Sequence, residues 1–278
     1  MAYQITQEQY RDEWVVAFQR GATYLKDCTT TETMIRGSEA VFPIQGAAGR
    51  MVQRGVNGLI PSDNPNDTQV RVPLLEKHRK ETQTSFNIFT AQADLREAMQ
   101  NRGALTAYRE VDNEIIENAL EQATNQFNGG SAITLTFGNV VDILSELREN
   151  NVYAGDEICM VWTPKAWARI QTFDRATSVD YVDRKPLMMG MDLPFRWLGA
   201  THMVHTGLPG VGTAEANCYA FAKPAVGHAI NQGDIRTSIG YDDEDDYSFA
   251  RHTIFHGARI LQQSGVLEIV HDDTAAIS

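Results

Sequence analysis

Two histidines four residues apart stand in the run His252-Thr253-Ile254-Phe255-His256. On a helix that spacing serves zinc proteases, whose second residue is the glutamate that acts as base. Here the second residue is Thr253. The run also alternates like a strand, which would put both rings on one face but too far apart for one ion. His202 and His205 lie in a second strand-like run, on opposite faces, and read as ordinary histidines. Gly207-Leu208-Pro209-Gly210-Val211-Gly212 is glycine-rich. No Lys-Ser/Thr follows it and no helix begins there, so it reads as a turn between strands and not as a phosphate loop. No glycine-flanked nucleophilic serine is present. Asp242-Asp243-Glu244-Asp245-Asp246 could gather calcium loosely, but it lacks the glycine and the closing glutamate of a calcium-binding hand. It reads as a solvated acidic loop, and so does Asp272-Asp273. Cys28, Cys159 and Cys218 are odd in number and widely spaced. They argue against a disulfide framework or a zinc ribbon and are expected as buried free thiols. Nothing here reads as a catalytic, cofactor or metal site, so the chain is not expected to be an enzyme.

The elements around these residues must therefore carry the function. The 278 residues suffice for one large core or two modest subdomains. The formal net charge of −12 disfavours tight binding to nucleic acid, though an acidic lining around DNA is allowed. No apolar stretch is long enough to span a membrane. Met1-Ala2-Tyr3-Gln4-Ile5 lacks the layout of a signal peptide, so a reducing cytosol is expected.

Thr6 and Gln9 fit a capping box, and Tyr10, Trp14, Ala17, Phe18 and Leu25 recur at helical spacing. This helix packs on its own core or docks on a neighbour, and the spacing does not choose. Residues 37–75 differ. The strand-like runs Glu39–Ile44 and Thr68–Leu74 each contain a proline, against a central strand, and flank a turn-rich tip at Pro61–Asp67. They predict a two-armed excursion, with arms of roughly 15 residues reaching about 50 Å when extended. The compact body should have a radius of gyration of only about 19 Å. Such an arm overhangs its subunit, and its simplest use is to lie on another copy. Arg50, Arg54, Arg71, Lys77, Arg79 and Lys80 make the region basic. They are candidates for pairing with an acidic face of a neighbour, against the plainer reading of a solvated loop.

Lys80–Thr90 alternates like a strand. A helical stripe from Asp94 runs to Phe127 and stops at Asn128-Gly129-Gly130, about 50 Å of helix if continuous. Gly103 inside it could mark a bend. Residues 136–232 alternate helices and strands: a helix through Val140, Val141, Ile143, Leu144 and Leu147, a strand over Glu157–Trp162, and a helix opened by Thr163-Pro164 with Trp167 and Ile170 facing in. Strands follow at Phe195–Val204, Cys218–Ala222 and Val226–Ile230. Asp234–Tyr241 and Tyr247–Leu261 then flank the acidic loop, and Val266–Val270 comes last.

This order resembles the major capsid protein of tailed bacteriophages, the Hong Kong 97-type fold. Leu105–Ile116 resembles the late spine helix of that family, where an aspartate precedes two aliphatics. Asp156–Trp167 resembles the axial strand that runs into a Pro-x-x-Trp/Tyr helix. Trp197–Thr201 through Gly207-Leu208-Pro209, then Phe221–Ile230, resemble the later axial strands. Gly257–Ile260 and Gly265–Ile269 resemble the terminal strands. The likeness covers about residues 30–272 and rests on order and spacing more than on any one motif.

It implies an α+β fold with an N-terminal arm (1–36), an extended loop (37–79), a peripheral domain with a long spine helix (80–135 and 233–278) and an axial domain (136–232). It also implies self-assembly into hexamers and pentamers of an icosahedral head around double-stranded DNA. That DNA would be contacted only non-specifically, after assembly in the host cytoplasm. Scaffolding, portal and decoration proteins are possible partners, with no membrane and no cofactor. Some members crosslink a loop lysine to an asparagine; the tip here holds no lysine, with Lys77 and Lys80 at the base of the loop, and the resemblance carries no crosslink over to this chain. The alternative is an encapsulin-like compartment shell of the same fold.

Overall fold

A computed structural model describes residues 25–277 apart from 34, 36, 48, 55–57, 59–64, 91–94, 153–154, 156, 174–193 and 232–235. The expected helix over Thr6–Leu25, except Leu25 itself, and the first half of the Pro61–Asp67 tip lie outside the described residues.

The described strands form two five-stranded sheets and a two-stranded ribbon. The ribbon pairs β2 (Glu39–Ile44) with β3 (Thr68–Pro73), from Glu39↔Pro73 to Ile44↔Thr68. Both prolines are tolerated because a two-stranded ribbon is all edge. Each paired arm is six residues long, shorter than the expected 15.

The first large sheet is built on β11 (Tyr247–Ile260). Residues 247–256 of β11 pair with β4 (Leu75–Thr84), 247–253 with β10 (Arg236–Asp242), and 256–260 with β9 (Val226–Ile230). The short β1 (Thr30–Glu32) runs parallel to β9. The second sheet has the order β12 (Val266–His271), β8 (Ala216–Ala222), β5 (Ile158–Trp162), β7 (Ala200–Val204) and β6 (Phe195–Trp197). β5 is buried along its whole length, as its unbroken apolar run requires of a central strand. Pairing crosses the expected division of the chain. β9, from the expected axial segment, joins the first sheet, and β12, from the expected peripheral segment, completes the second.

Two expectations are corrected. Residues 80–90 are not one strand: β4 ends at Thr84 and a short helix, α1 (Ser85–Thr90), follows. The ladder stops there because the partner strand begins at Tyr247, opposite Thr84, and the Thr84 hydroxyl then accepts from the Asn87 N–H. The long helix, α2 (Leu95–Asn118), does not reach Phe127. The chain leaves it through a 3-10 turn at Leu120–Gln122, and Ala123 is extended. Ala119 and Leu120 are still fully buried, so the apolar stripe continues where the helix does not.

Gly103 does not interrupt α2. A Cβ at that position would lie 2.0 Å from the His252 ring on β11, so glycine is what lets helix and strand approach. Two further helices follow expectation. α3 (Phe137–Glu149) starts at Thr136, whose hydroxyl accepts from the Asn139 N–H, and buries Val140, Ile143, Leu144 and Leu147. α4 (Pro164–Ile170) starts at Thr163, whose hydroxyl accepts from the Ala166 N–H at 3.1 Å. Trp167 and Ile170 are buried.

Cys28 and Cys159 are not free thiols. They are disulfide-bonded, with Cα atoms 6.2 Å apart, tying the turn before β1 to β5. Residues 131 apart in sequence meet there because of a relay of strands: β1 lies on β9, β9 follows β8, and β8 pairs with β5. Spacing alone carries none of this. Cys218 is free and buried, as expected.

Candidate functional site

The ribbon is anchored at its base and exposed beyond it. Ala40, Phe42 and Val72 pack with Ala229 of β9 in a small satellite core. Leu74 N–H donates to the Ser38 carbonyl at 2.8 Å, and Arg259 donates to the Arg71 carbonyl at 3.2 Å. A Cβ at Gly257 would sit 2.1 Å from the Pro73 carbonyl oxygen, so β11 takes the ribbon base against its bare backbone. Where the two arms leave the ribbon, Gly46 N–H donates to the Asp67 carboxylate at 2.9 Å. Beyond that point Arg50, Met51, Val52, Gln53 and Arg54 are all exposed, Met51 completely and Val52 to 70%. An apolar pair held in water between two arginines is unusual for a segment serving only its own subunit.

The six basic residues have different surroundings. Arg50 and Arg54 lie on the exposed segment. Arg71 pairs with Glu39 across the ribbon at 3.5 Å. Arg79 lies 3.9 Å from Glu81. Lys80 donates to the Tyr247 hydroxyl at 2.8 Å and sits over the Tyr247 and Phe249 rings. Lys77 turns inward, with its ammonium 2.6 Å from both Glu110 and Glu114 of α2. Burial lowers its pKa, but its bonds to the two glutamates outweigh that, and the net shift is upward. Sequence reading missed these partners. The signal was present: two glutamates four residues apart on the stripe otherwise filled by Val111, Ile115 and Ile116.

His202, His205, His228, His252 and His256 are all buried. His202 accepts from Trp162 Nε1 at 3.0 Å and faces the Trp197 carbonyl at 3.1 Å, and burial pushes its pKa down to about 4. His205 is also buried, 3.5 Å from Asp112. His252 faces the Thr237 hydroxyl at 3.2 Å. His256 and His228 are fully buried, with their rings edge-on at 6.1 Å. Burial, with the neighbouring His256 and Lys26, pushes His228 down to about 3.

The acidic loop is less loose than expected, because the Asp246 carboxylate accepts from Ser85 and Tyr241. Asp273, expected in solvent, is buried. It accepts from the Thr163 hydroxyl at 2.7 Å and the Gly212 N–H at 2.9 Å, and it contacts His271 at 2.8 Å. Cys218 beside it is pushed up to about 12 by burial, so it stays a thiol and no nucleophile. These groups hold the second sheet, α4 and the segment after β12 together.

A ribbon rooted on one sheet with an exposed apolar and basic segment, a spine-like helix and a compact mixed sheet define a Hong Kong 97-type shell subunit. Solved structures agree. The chain of a Mycobacterium phage Che8 structure is 17% identical, with 99% of this chain and 100% of that one aligned and a TM-score of 0.76. The capsid of a native GTA particle is 13% identical over 96% of each chain, at 0.74. The capsid of cyanophage P-SCSP1u is 15% identical over 96% of this chain and 93% of that one, at 0.74. No curated protein matches the chain in sequence. The family profile described as phage capsid protein matches residues 2–273. The chain belongs to the phage capsid protein family, and it is a major capsid protein of the head shell. An encapsulin-like compartment is not favoured.

Proposed function

We propose that the shell is built from hexamers and pentamers in which the 44–68 loop of each subunit lies on its neighbour, with Arg50 and Arg54 pairing against acidic side chains there. The remaining basic residues, Arg71, Lys77, Arg79 and Lys80, each have a partner within the subunit. The observation that carries this is the exposed Arg50–Arg54 segment beyond an anchored ribbon. Weak contacts suffice, since closure of the shell multiplies them. The role is structural and not catalytic. Assembly takes place in the host cytoplasm, and the head encloses packaged double-stranded DNA, which the acidic chain contacts without specificity. Scaffolding, portal and decoration proteins are its further partners.

Deleting Gly46–Asp67 tests the loop. The expected result is a soluble subunit that makes no shells under electron microscopy. Normal particles from the deletion would refute the role given to the loop.

A further inference from the structure

Lys77 does not fully balance the two carboxylates it faces. Glu110 and Glu114 stand one turn apart on α2, on the side packed against β11. One ammonium between them leaves one negative charge over, and the Glu114 side chain is only 1% exposed. The third member of the cluster comes from the strand. His256 is fully buried, and neither ring nitrogen makes a hydrogen bond among the described residues. One ring nitrogen of His256 and one oxygen from each glutamate all lie within 4.8 Å of one another. A buried imidazole with no hydrogen-bond partner, aimed at two carboxylates, is costly as it stands and would be satisfied by a ligand.

We propose that Glu110, Glu114 and His256 bind one divalent transition-metal cation, zinc by the character of the donors, which clamps α2 to β11 when Lys77 yields its place. Two carboxylates and a neutral imidazole form a mixed oxygen and nitrogen set that suits zinc, while magnesium and calcium take oxygen alone. Charge favours the exchange: a dication balances two carboxylates, where one ammonium does not. The geometry needs modest closure. Donors about 2.1 Å from zinc in a tetrahedron are about 3.4 Å apart, so the three side chains must draw in by about 1 Å.

Room for the exchange is present. A cavity of about 290 Å³ opens beside Lys77 and Glu110, lined also by Thr106 and Ala107. It gives the ammonium somewhere to swing on the Glu110 side of the cluster. The Lys77 side chain is 28% exposed, so it is not sealed in place. The pair His252 and His256 takes no part together, since His252 faces Thr237 instead. The metal role falls to His256 with partners from another element.

The test is zinc uptake by chelator-stripped, purified shells, read by equilibrium dialysis with elemental analysis. Wild-type shells should take up one zinc per subunit, and excess magnesium should not compete. Lys77→Met removes the competing cation and keeps all three ligands, so it should tighten binding by about tenfold or more. Lys77→Arg holds the carboxylates more firmly and should weaken it. His256→Phe should abolish uptake. Equal affinity in Lys77→Met and Lys77→Arg would overturn the proposal, as would stoichiometric zinc in His256→Phe shells. The two Lys77 variants decide the matter even if His256→Phe fails to fold. Shell formation is scored separately by electron microscopy, so loss of zinc and loss of assembly remain distinguishable.

Discussion

Gly103→Ala should change the sign of its effect depending on one side chain in another element. An added Cβ would lie 2.0 Å from Cδ2 and Nε2 of His252 and 2.9 Å from its Cε1. Non-bonded carbon atoms settle at about 3.5–4.0 Å, so the ring must move by about 1.5 Å or the helix must lift. Neither is easy, since His252 is buried and held at Thr237. Overpacking of this kind costs about 1–3 kcal/mol. Alanine in place of glycine inside a helix returns about 1 kcal/mol. The net expectation is a loss of up to about 2 kcal/mol. In a His252→Ala background the obstacle is gone and only the helix gain remains, so Gly103→Ala should then stabilise by about 1 kcal/mol. A coupling of about 1–3 kcal/mol between the sites follows. The assay is calorimetric unfolding of purified particles for the four proteins of the cycle, where 1 kcal/mol corresponds to about 2–4 °C in a chain of this size. An identical shift from Gly103→Ala with and without His252 would refute close packing as the reason for the glycine.

Three further outcomes are expected. Cys28→Ser opens a 131-residue loop, so denatured subunits should run more slowly on a non-reducing gel than wild type. By loop entropy the change should cost up to about 5 kcal/mol, and equal mobility would mean the bond does not form. His228 is neutral in the fold, with its pKa near 3, and an unfolded histidine titrates near 6.5. The unfolded chain therefore binds the extra proton between those values, and stability falls as pH drops through that window, by about 1.4 kcal/mol per pH unit for this group. His228→Leu should flatten the slope of melting temperature against pH below 6.5, and an unchanged slope would count against a buried neutral ring. Asp273→Asn removes the charge that Thr163, Gly212 and His271 converge on. It should cost about 1–3 kcal/mol, whereas the neighbouring exposed Glu215→Gln should cost little; equal small effects would contradict the buried network.

Local signals in the chain were read well where one face is buried and the partner is near. The strand-like run Glu39–Ile44 matches β2 to the residue, and Thr163-Pro164 marked the start of α4. The exposed Arg50–Arg54 segment was legible as basic, but the inward turn of Lys77 was not, because its partners sit 33 and 37 positions away on α2. The end of α2 was misjudged for a similar reason. Burial of Ala119 and Leu120 is set by the surrounding core, and an apolar stripe records burial whether the backbone is helical or not. The Cys28–Cys159 bond and the burial of Asp273 depend on tertiary placement alone. Self-similar spacing cannot encode either one.

The exchange of strands between the two sheets bears on synthesis. β4, laid down early, waits for β11, and β8 waits for β12, so the first sheet cannot close before residue 260, nor the second before residue 271, has left the ribosome. Pairings this distant are slow to form. A nascent subunit thus has no finished surface to offer another, however crowded the polysome becomes. The same lateness leaves each subunit briefly exposed to misassembly before its last strands dock.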